Sequence, residues 1–250
     1  METNLQFKVL HEDEDIIVCV KPAGLATQSA NIRQKDLYGQ VRTYLKGGYL
    51  GLVHRLDQPV EGILVLAKNE KAAAGLSAQL NSDKMQKIYC AVCDFSSAPS
   101  GAYLGSNDVD ALQGATVRSR SAITLTDFLL QDMKTNSSKV VADGTKGAKK
   151  AVLDYQVLSV NEESKTAIVK IHLHTGRHHQ IRVQMSHGGM PLLGDLKYGT
   201  QASKQKSEAL AVTNVALCAY QLSFVHPRTN QKMKFEIEPT VAVFAKKLME

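Results

Sequence analysis

Two segments of the chain concentrate side chains that can act as acids, bases or nucleophiles. In the first, residues 51–68, an apolar stretch leads into the sequence His-Arg-Leu-Asp at His54–Asp57, then a proline turn, a glycine and an apolar strand. Polar groups at the mouth of rigid elements are a common setting for functional sites. A carboxylate beside a cation is equally common as a structural ion pair, so composition alone leaves both interpretations open.

The second segment, residues 175–187, is rich in cations and ring nitrogens. Gly176 separates a predicted strand from a predicted helix, and Arg177, His178, His179 and Arg182 follow it. Free backbone N–H groups and cationic side chains at the start of a helix favour phosphate binding. This segment is therefore a candidate contact for an anionic partner.

Other chemistries fit the sequence less well. His172, His174, His178 and His179 lie close together, but no Asp, Glu or Cys stands nearby at ligand spacing, so we expect no metal site. There is no Gly-x-Ser-x-Gly, Walker or dinucleotide-binding glycine pattern. Cys90 and Cys93 lie on a predicted strand, where residues three apart point to opposite faces, so we expect buried thiols.

Apolar periodicity and turn residues predict the elements that hold these segments. The predicted class is α+β with a mixed, largely antiparallel sheet and flanking helices. Strands are expected in a hairpin over 7–21 and at 63–67, 122–130, 152–160, 166–174, 215–224 and 232–237. Helices are expected at 36–45, 71–80 (with Asn69 as N-cap), 178–187 and the C-terminus.

Two polar stretches, 131–150 and 199–208, are predicted as loops, the first of them mobile. The first carries five lysines, and either solvation or contact with a nucleic acid would explain them. We find no compositional boundary in the chain. We therefore expect one domain over residues 1–250.

Bulk composition is that of an ordinary protein with one large core: 250 residues, 44% hydrophobic, with a net charge of +6. The positive charge suits a polyanionic partner without requiring one. Four scattered cysteines fit a reducing compartment. No signal peptide and no long uncharged apolar run is present, so we expect a cytoplasmic protein without a membrane span.

Taken together, the motifs resemble the RluA-type family of RNA pseudouridine synthases. The resemblance covers nearly the whole chain, and the matching motifs follow one another in the family's order. They are the entry strand at 11–24, His54-Arg-Leu-Asp57, Lys87-Ile-Tyr89, Gly176-Arg-x-His-Gln-Ile-Arg182, Gly194-Asp195 with Tyr198-Gly199, and Leu217 with His226-Pro227.

The resemblance implies a cofactor-free and metal-free reaction on RNA, in which uracil is detached, rotated and rejoined to the ribose through carbon. It makes Asp57 the nucleophile, attacking either the sugar or the base, with Arg182 as the cation that keeps the carboxylate ionised. Tyr89 is expected to be the catalytic tyrosine, which packs against the flipped base and helps in proton transfer. Leu217 is expected to form an apolar wall of the pocket.

The remaining site residues are expected to contact RNA. Arg55 would fill the space left by the extruded base. His54, Arg177 and His179 would be substrate-binding or structural. The resemblance further implies the pseudouridine synthase fold with a central RNA cleft and rRNA or tRNA as substrate. Many relatives carry an additional N-terminal RNA-binding module, but this chain begins directly at the catalytic domain, so we expect no separate module. We also expect a monomer.

This chain departs from the family pattern at several positions. Val60-Glu61 stand where the family has Thr-Ser, and His178, Cys218 and Leu153 replace other usual residues. Glu61 would oppose ionisation of Asp57 if it faced inward, so we expect it to point to solvent or to pair with a cation. These departures motivate an alternative, a non-catalytic RNA-binding or assembly factor.

Overall fold

The computed structural model describes residues 5–31, 33–82, 84–96 and 122–240. The chain divides into two compact units, one comprising 1–87 and 218–239 and the other 88–217 and 240–250. The unit boundaries fall inside two strands, so each strand contributes residues to both units. The described part contains eleven strands and four helices, and none of those helices has the length and apolarity needed to cross a membrane.

The first unit is built on a mostly antiparallel sheet. Its strands are β1 (Lys8–Glu12), β2 (Ile16–Lys21), β3 (Gly51–Leu52), β4 (Glu61–Ala67), most of β10 (Leu217–Val225) and β11 (Lys232–Glu236). Strand β4 pairs antiparallel with β2 and β3 and parallel with β10, and β1 and β11 extend the pairing at β2 and β10. The predicted 7–21 hairpin is confirmed.

Helices α1 (Leu37–Tyr44) and α2 (Glu70–Leu80) belong to the first unit. The side chain of Asn69 accepts a hydrogen bond from the N–H of Ala72, so the predicted N-cap is confirmed. Alternate residues of β2, β4 and β10 form the core with the buried face of α2. That core comprises Ile16, Val18, Ile63, Val65, Ala67, Ala72, Leu76, Met85, Leu222 and Phe224.

A glycine permits the parallel contact between β4 and β10. Gly62 has φ +140°, and a Cβ atom placed on it would lie 2.5 Å from the Cβ of Ala219 and 2.6 Å from its backbone N and O atoms. No side chain fits at this distance. The requirement for glycine therefore comes from the approach of the two backbones, which sets where β4 starts.

The second unit contains five strands paired antiparallel in the order β5 (Gln86–Asp94), β9 (Thr166–Leu173), β8 (Lys149–Asn161), β6 (Ile123–Asp132) and β7 (Ser137–Val141). Helix α3 (Gln180–His187) packs Val183 against Leu129 and Ala151 of this sheet, and α4 (Gln201–Ala209) follows it in the chain. The predicted α+β class, with a mixed and largely antiparallel sheet, is confirmed in the described residues.

Two predicted loops are wrong. Residues 131–150 contain β7 and the start of β8, and residues 199–208 contain most of α4. Helix α3 begins at Gln180, later than predicted. The predicted C-terminal helix falls largely outside the described residues.

Candidate functional site

The loop that carries Asp57 is fixed by hydrogen bonds to the segment after β2. The buried hydroxyl of Thr27 donates to the carbonyl of Leu56 (2.7 Å) and accepts from the N–H of the same residue (3.1 Å). On the other side of Asp57, the carbonyl of Gln58 accepts from the N–H of Gly24 at 2.8 Å. Both neighbours of the half-buried Asp57 are therefore held in place, and its carboxylate stands on a fixed backbone.

Lys21 places a cation beneath this loop. Its side chain is fully buried, and Nζ donates to the carbonyls of Leu25 (2.6 Å), Pro22 (2.9 Å) and Gln58 (3.2 Å). Burial lowers the pKa of Lys21 to about 7, while the charges of Asp57 and Glu61 act in the opposite direction. Lys21 thus interacts electrostatically with the candidate nucleophile, and the charge of Asp57 favours the protonated form of Lys21.

Glu61 occupies the first position of β4 and is only 4% exposed. The expectation that it points to solvent is wrong. The other alternative, a nearby cation, is supported because the Glu61 charge raises the pKa of Lys21. The negative charge that this chain adds near Asp57 is therefore opposed by Lys21 within the same unit.

His54 and Arg55 precede Asp57 in the same loop and differ in exposure. His54 is half-buried, its Nε2 accepts from the N–H of Val65 at 3.3 Å, and its buried Nδ1 has no partner among the described residues. Burial, with a smaller contribution from Lys87, lowers the pKa of His54 to about 3, so the ring is neutral near pH 7. Arg55 is exposed. His54 thus supports β4, and Arg55 is available to contact a ligand.

In the second unit, Arg182 is held by a buried carboxylate. Its Nε and Nη2 atoms donate to the two oxygens of Asp195 at 2.7 and 2.9 Å, and both side chains are at most 6% exposed. Burial acts to raise the pKa of Asp195, but the guanidinium and the N–H groups of Tyr198 and Lys197 outweigh it, so that the pKa is lowered. Asp195 therefore stays charged and fixes the plane of the guanidinium.

Tyr198 links Arg182 to the start of α3. The guanidinium lies 5.1 Å from the centre of the Tyr198 ring. The Tyr198 hydroxyl accepts from the N–H of Ser138 and is 2.7 Å from Nδ1 of His179, whose ring stacks on that of His178. His178 in turn hydrogen-bonds Ser138 at 2.9 Å, so β7 is joined to the α3 segment through these rings.

Two buried glutamines fasten α3 to the sheet. Gln180 accepts from the Thr175 hydroxyl and the Arg177 N–H, and it donates to the carbonyl of Val152. Gln184 accepts from Gln180 and donates to Asp127 on β6. Arg177 is exposed, and its Nε donates to the carbonyl of Lys150. The Gly-Arg-x-His-Gln-Ile-Arg motif thus places one arginine at the surface and one in the interior.

The remaining predicted site residues are buried. Tyr89 on β5 is 6% exposed, and Leu217, the first residue of β10, is 3% exposed. Cys90 and Cys93 are buried, unbridged thiols, and burial raises the pKa of Cys90 to about 12. This outcome confirms the expectation of buried structural thiols.

Several residues that support the site were missed as such. Lys21, Thr27 and Asp195 act on Asp57 or Arg182 through hydrogen bonds and charge. The sequence offered a signal for two of these residues. Lys21 is a charged residue that ends an otherwise apolar strand, and Asp195 follows a glycine near the basic segment. Their partners are distant in sequence, so spacing alone could not assign them.

Comparison with known proteins gives a consistent result. A model of the family described as RNA pseudouridylate synthase matches residues 15–187. The chain is 32% identical over 245 residues to an uncharacterized RNA pseudouridine synthase of Aquifex aeolicus, covering 94% of this chain and 70% of that protein. It is 30% identical over 246 residues to ribosomal large subunit pseudouridine synthase D of Zymomonas mobilis, with coverages of 94% and 70%.

Solved structures support the fold. Human RNA pseudouridylate synthase domain containing 1 matches with a TM-score of 0.68 at 20% identity, covering 96% of this chain and 86% of that one. Human RNA pseudouridylate synthase domain containing 4 matches with a TM-score of 0.67 at 22% identity, covering 95% and 91%. The fold of this chain is similar to both.

Proposed function

The chain belongs to the RNA pseudouridylate synthase family and isomerises uridine in RNA to pseudouridine, and we propose that the carboxylate of Asp57 is its nucleophile. The observation that carries this proposal is the fixing of the Asp57 loop on both sides, by Thr27 and by Lys21 with Gly24. A nucleophile needs a fixed direction of attack as well as a charge. Asp57 is only half-buried, so the fixed carboxylate can be reached.

Lys21 supports this role electrostatically. A carboxylate that enters a closed pocket with a base loses solvation, and a nearby cation then favours its ionised form. We further assign Arg182 to the same task, as the resemblance to the family implies. The two parallel hydrogen bonds to Asp195 support that assignment because they hold the guanidinium rigid.

The roles of the other residues follow from chemistry and exposure. Tyr89 and Leu217 would form apolar walls against the uracil ring. Arg55, which is exposed, would occupy the space that the flipped base leaves. Arg177 and His179 would contact the RNA backbone, and His54 would act through β4 rather than on the substrate. The reaction would need neither metal nor cofactor.

The substrate we propose is a structured ribosomal or transfer RNA. Two of the relatives, from Zymomonas mobilis and Pseudomonas aeruginosa, are named ribosomal large subunit pseudouridine synthase D, which makes ribosomal RNA the first substrate to test. We also propose that the protein acts as a monomer in the cytoplasm. The non-catalytic alternative is disfavoured because the family consists of synthases and Lys21 compensates the buried Glu61.

The test uses total RNA from a host strain that lacks the gene. Purified protein is incubated with this RNA, and pseudouridine is mapped by chemical labelling and sequencing. We expect the intact chain to restore the missing sites and Asp57→Asn to leave them unmodified, while the circular dichroism spectrum is unchanged. Asp143→Asn, which alters an exposed acid, is the matched control and should retain full activity. Turnover by Asp57→Asn would refute the nucleophile assignment.

Trapping separates chemistry from binding. RNA that carries 5-fluorouridine at a mapped site should give a covalent or rearranged product with the intact chain and none with Asp57→Asn. Binding of that RNA by the intact chain without any product would instead support the non-catalytic alternative.

A further inference from the structure

A cluster of two histidines and one aspartate lies on the sheet of the second unit. His172 lies near the end of β9, His174 directly follows that strand, and Asp154 on β8 is the direct strand partner of His172. One ligand atom from each residue lies within 4.8 Å of the others, and the two imidazole rings are 4.3 Å apart. All three side chains are half-buried, so the cluster is accessible from solvent.

The aspartate is already oriented for a ligand role. Its Oδ1 accepts from the Thr124 hydroxyl at 2.7 Å, and its Oδ2 lies 2.7 Å from Nε2 of His174. A partner that holds one carboxylate oxygen and directs the other is the usual outer support of a metal-binding carboxylate. Two atoms bound tetrahedrally to one zinc ion are about 3.3 Å apart, so these ligand atoms, which lie within 4.8 Å of one another, need only side-chain adjustments to share one cation.

In a second cluster of potential metal ligands, the carboxylates already bind groups of the protein. Asp13, Asp15 and His226 also bring three potential ligands together. There, Asp13 accepts from two backbone N–H groups, and Asp15 binds the guanidinium of Arg228. An arginine already supplies the positive charge in that cluster, so we assign no metal to it.

The Asp154 cluster is separate from Tyr89, one of the residues assigned to the reaction in its own unit. Tyr89 is the direct strand partner of Ile171, whereas Ile88 is the partner of His172. Paired residues share a face and successive residues alternate, so the cluster lies on the opposite face of the sheet from Tyr89. A ligand bound there would not contact Tyr89.

We propose that Asp154, His172 and His174 form a binding site for one divalent transition-metal cation of the zinc type. Two imidazoles and a carboxylate are the ligands that Zn²⁺ and its neighbours prefer, and three protein ligands leave a fourth position for water. The cation would join β8 to β9 next to the segment that leads into α3. The expectation of no metal rested on sequence spacing, and folding supplies the missing acid from the neighbouring strand.

The test measures zinc binding to the untagged, chelator-treated protein by competition with a chromophoric zinc indicator. We expect saturable binding of one equivalent and, with Co²⁺ as the probe, the visible absorption bands of a tetrahedral site. His172→Ala and His174→Ala should each remove this binding. Thr124→Val should weaken it by about 10-fold, as expected when the partner of a ligating carboxylate is lost.

Matched controls make the result decisive. His187→Ala removes an exposed histidine whose Nδ1 lies 3.4 Å from Asp127. This pair is not part of the Asp154 cluster, so the variant should bind zinc as the intact chain does. Asp57→Asn should also bind zinc, because this site does not depend on the proposed reaction. Absence of a one-equivalent site, or equal binding by His172→Ala and His174→Ala, would overturn the proposal.

Discussion

Loss of the Lys21 side chain should destabilise the loop that carries Asp57. Lys21→Met would leave the carbonyl of Leu25 without its 2.6 Å donor, while Gln58 would keep the N–H of Gly24. An unsatisfied buried acceptor costs roughly 1–3 kcal/mol, and we expect a loss of that size in the free energy of unfolding near pH 10.5, where the unfolded chain no longer gains stability by protonating Lys21. Urea denaturation measures it, with exposed Lys71→Met as a control that should change little. A stability equal to that of the intact chain would contradict the assigned role.

The same residue predicts a dependence on pH. In the folded chain the pKa of Lys21 is about 7, below its ordinary value of 10.5, so between these values the unfolded chain binds a proton that the folded chain does not. The free energy of unfolding should therefore gain a contribution that rises with pH across this window and is absent below it. The free energy of unfolding is measured at pH 7 and pH 9 for the intact chain and for Lys21→Met. The change between the two pH values should be larger for the intact chain, and the excess is the contribution of Lys21. Absence of this excess would refute the shifted pKa.

The pair formed by Arg182 and Asp195 predicts a different result. Arg182→Lys keeps the positive charge but loses one of two parallel hydrogen bonds to a carboxylate that is 1% exposed. We expect unfolding to become easier by roughly 1–3 kcal/mol and the single-turnover rate on RNA to fall. Arg177→Lys, at an exposed arginine, should leave stability nearly unchanged. Equal stability of both variants would show that the two hydrogen bonds to Asp195 contribute little.

At the scale of elements, sequence patterns succeeded where apolar residues alternate and failed where polar residues pack. Strands β4, β8 and β9 were predicted because most of their buried residues are apolar. Helix α4 was missed because its buried face is Ser203 and Ser207, and the Ser207 hydroxyl there accepts from the N–H of Gly194. Strand β7 was missed because it pairs only with β6 among the described strands, and its buried residue is Ser138.

The candidate site shows the same division. The sequence located the Asp57 and Arg182 segments through their motifs, since each motif is local. It did not locate the support from Thr27 and Asp195, because those hydrogen bonds join residues far apart in the chain or across a turn. The sequence did not indicate the Asp154 cluster for the same reason: Asp154 lies on β8, whereas His172 lies on β9 and His174 directly after it, and only folding defines the register of the two strands.

The approach of β4 to β10 yields a prediction at this scale. Gly62→Ala places a Cβ 2.6 Å from the backbone of Ala219, so we expect the free energy of unfolding to fall by more than the roughly 1–3 kcal/mol of backbone strain alone. Gly144→Ala is the matched control, because it has φ +80° but no atom within 4 Å of the added Cβ. Adding Ala219→Gly should not restore stability, since the clash includes backbone atoms. Full rescue would mean that only the two side chains conflict.

At the scale of the whole molecule, the positions of the exposed lysines bear on RNA binding more directly than the net charge does. Lys139 on β7 and Lys150 on β8 are exposed, and they are the strand partners of Leu130 and Phe128 on β6. Residues two apart on a strand share a face, so both lysines project from the same side of this sheet. The exposed Arg177 donates to the backbone of Lys150. The lysine-rich stretch is therefore an ordered cationic face, which favours the RNA-contact interpretation over a solvated loop.

Salt dependence of RNA binding tests whether this face or only the net charge of +6 attracts the substrate. Each lysine that neutralises a phosphate contributes about 0.7–0.9 to the slope of log affinity against log salt concentration. Lys139→Gln with Lys150→Gln should therefore weaken binding at low salt and reduce the slope by about 1.5. Lys8→Gln with Lys71→Gln removes the same charge at exposed positions of the first unit and should leave the slope nearly unchanged. Equal losses in the two double variants would show that binding depends on total charge and not on this face.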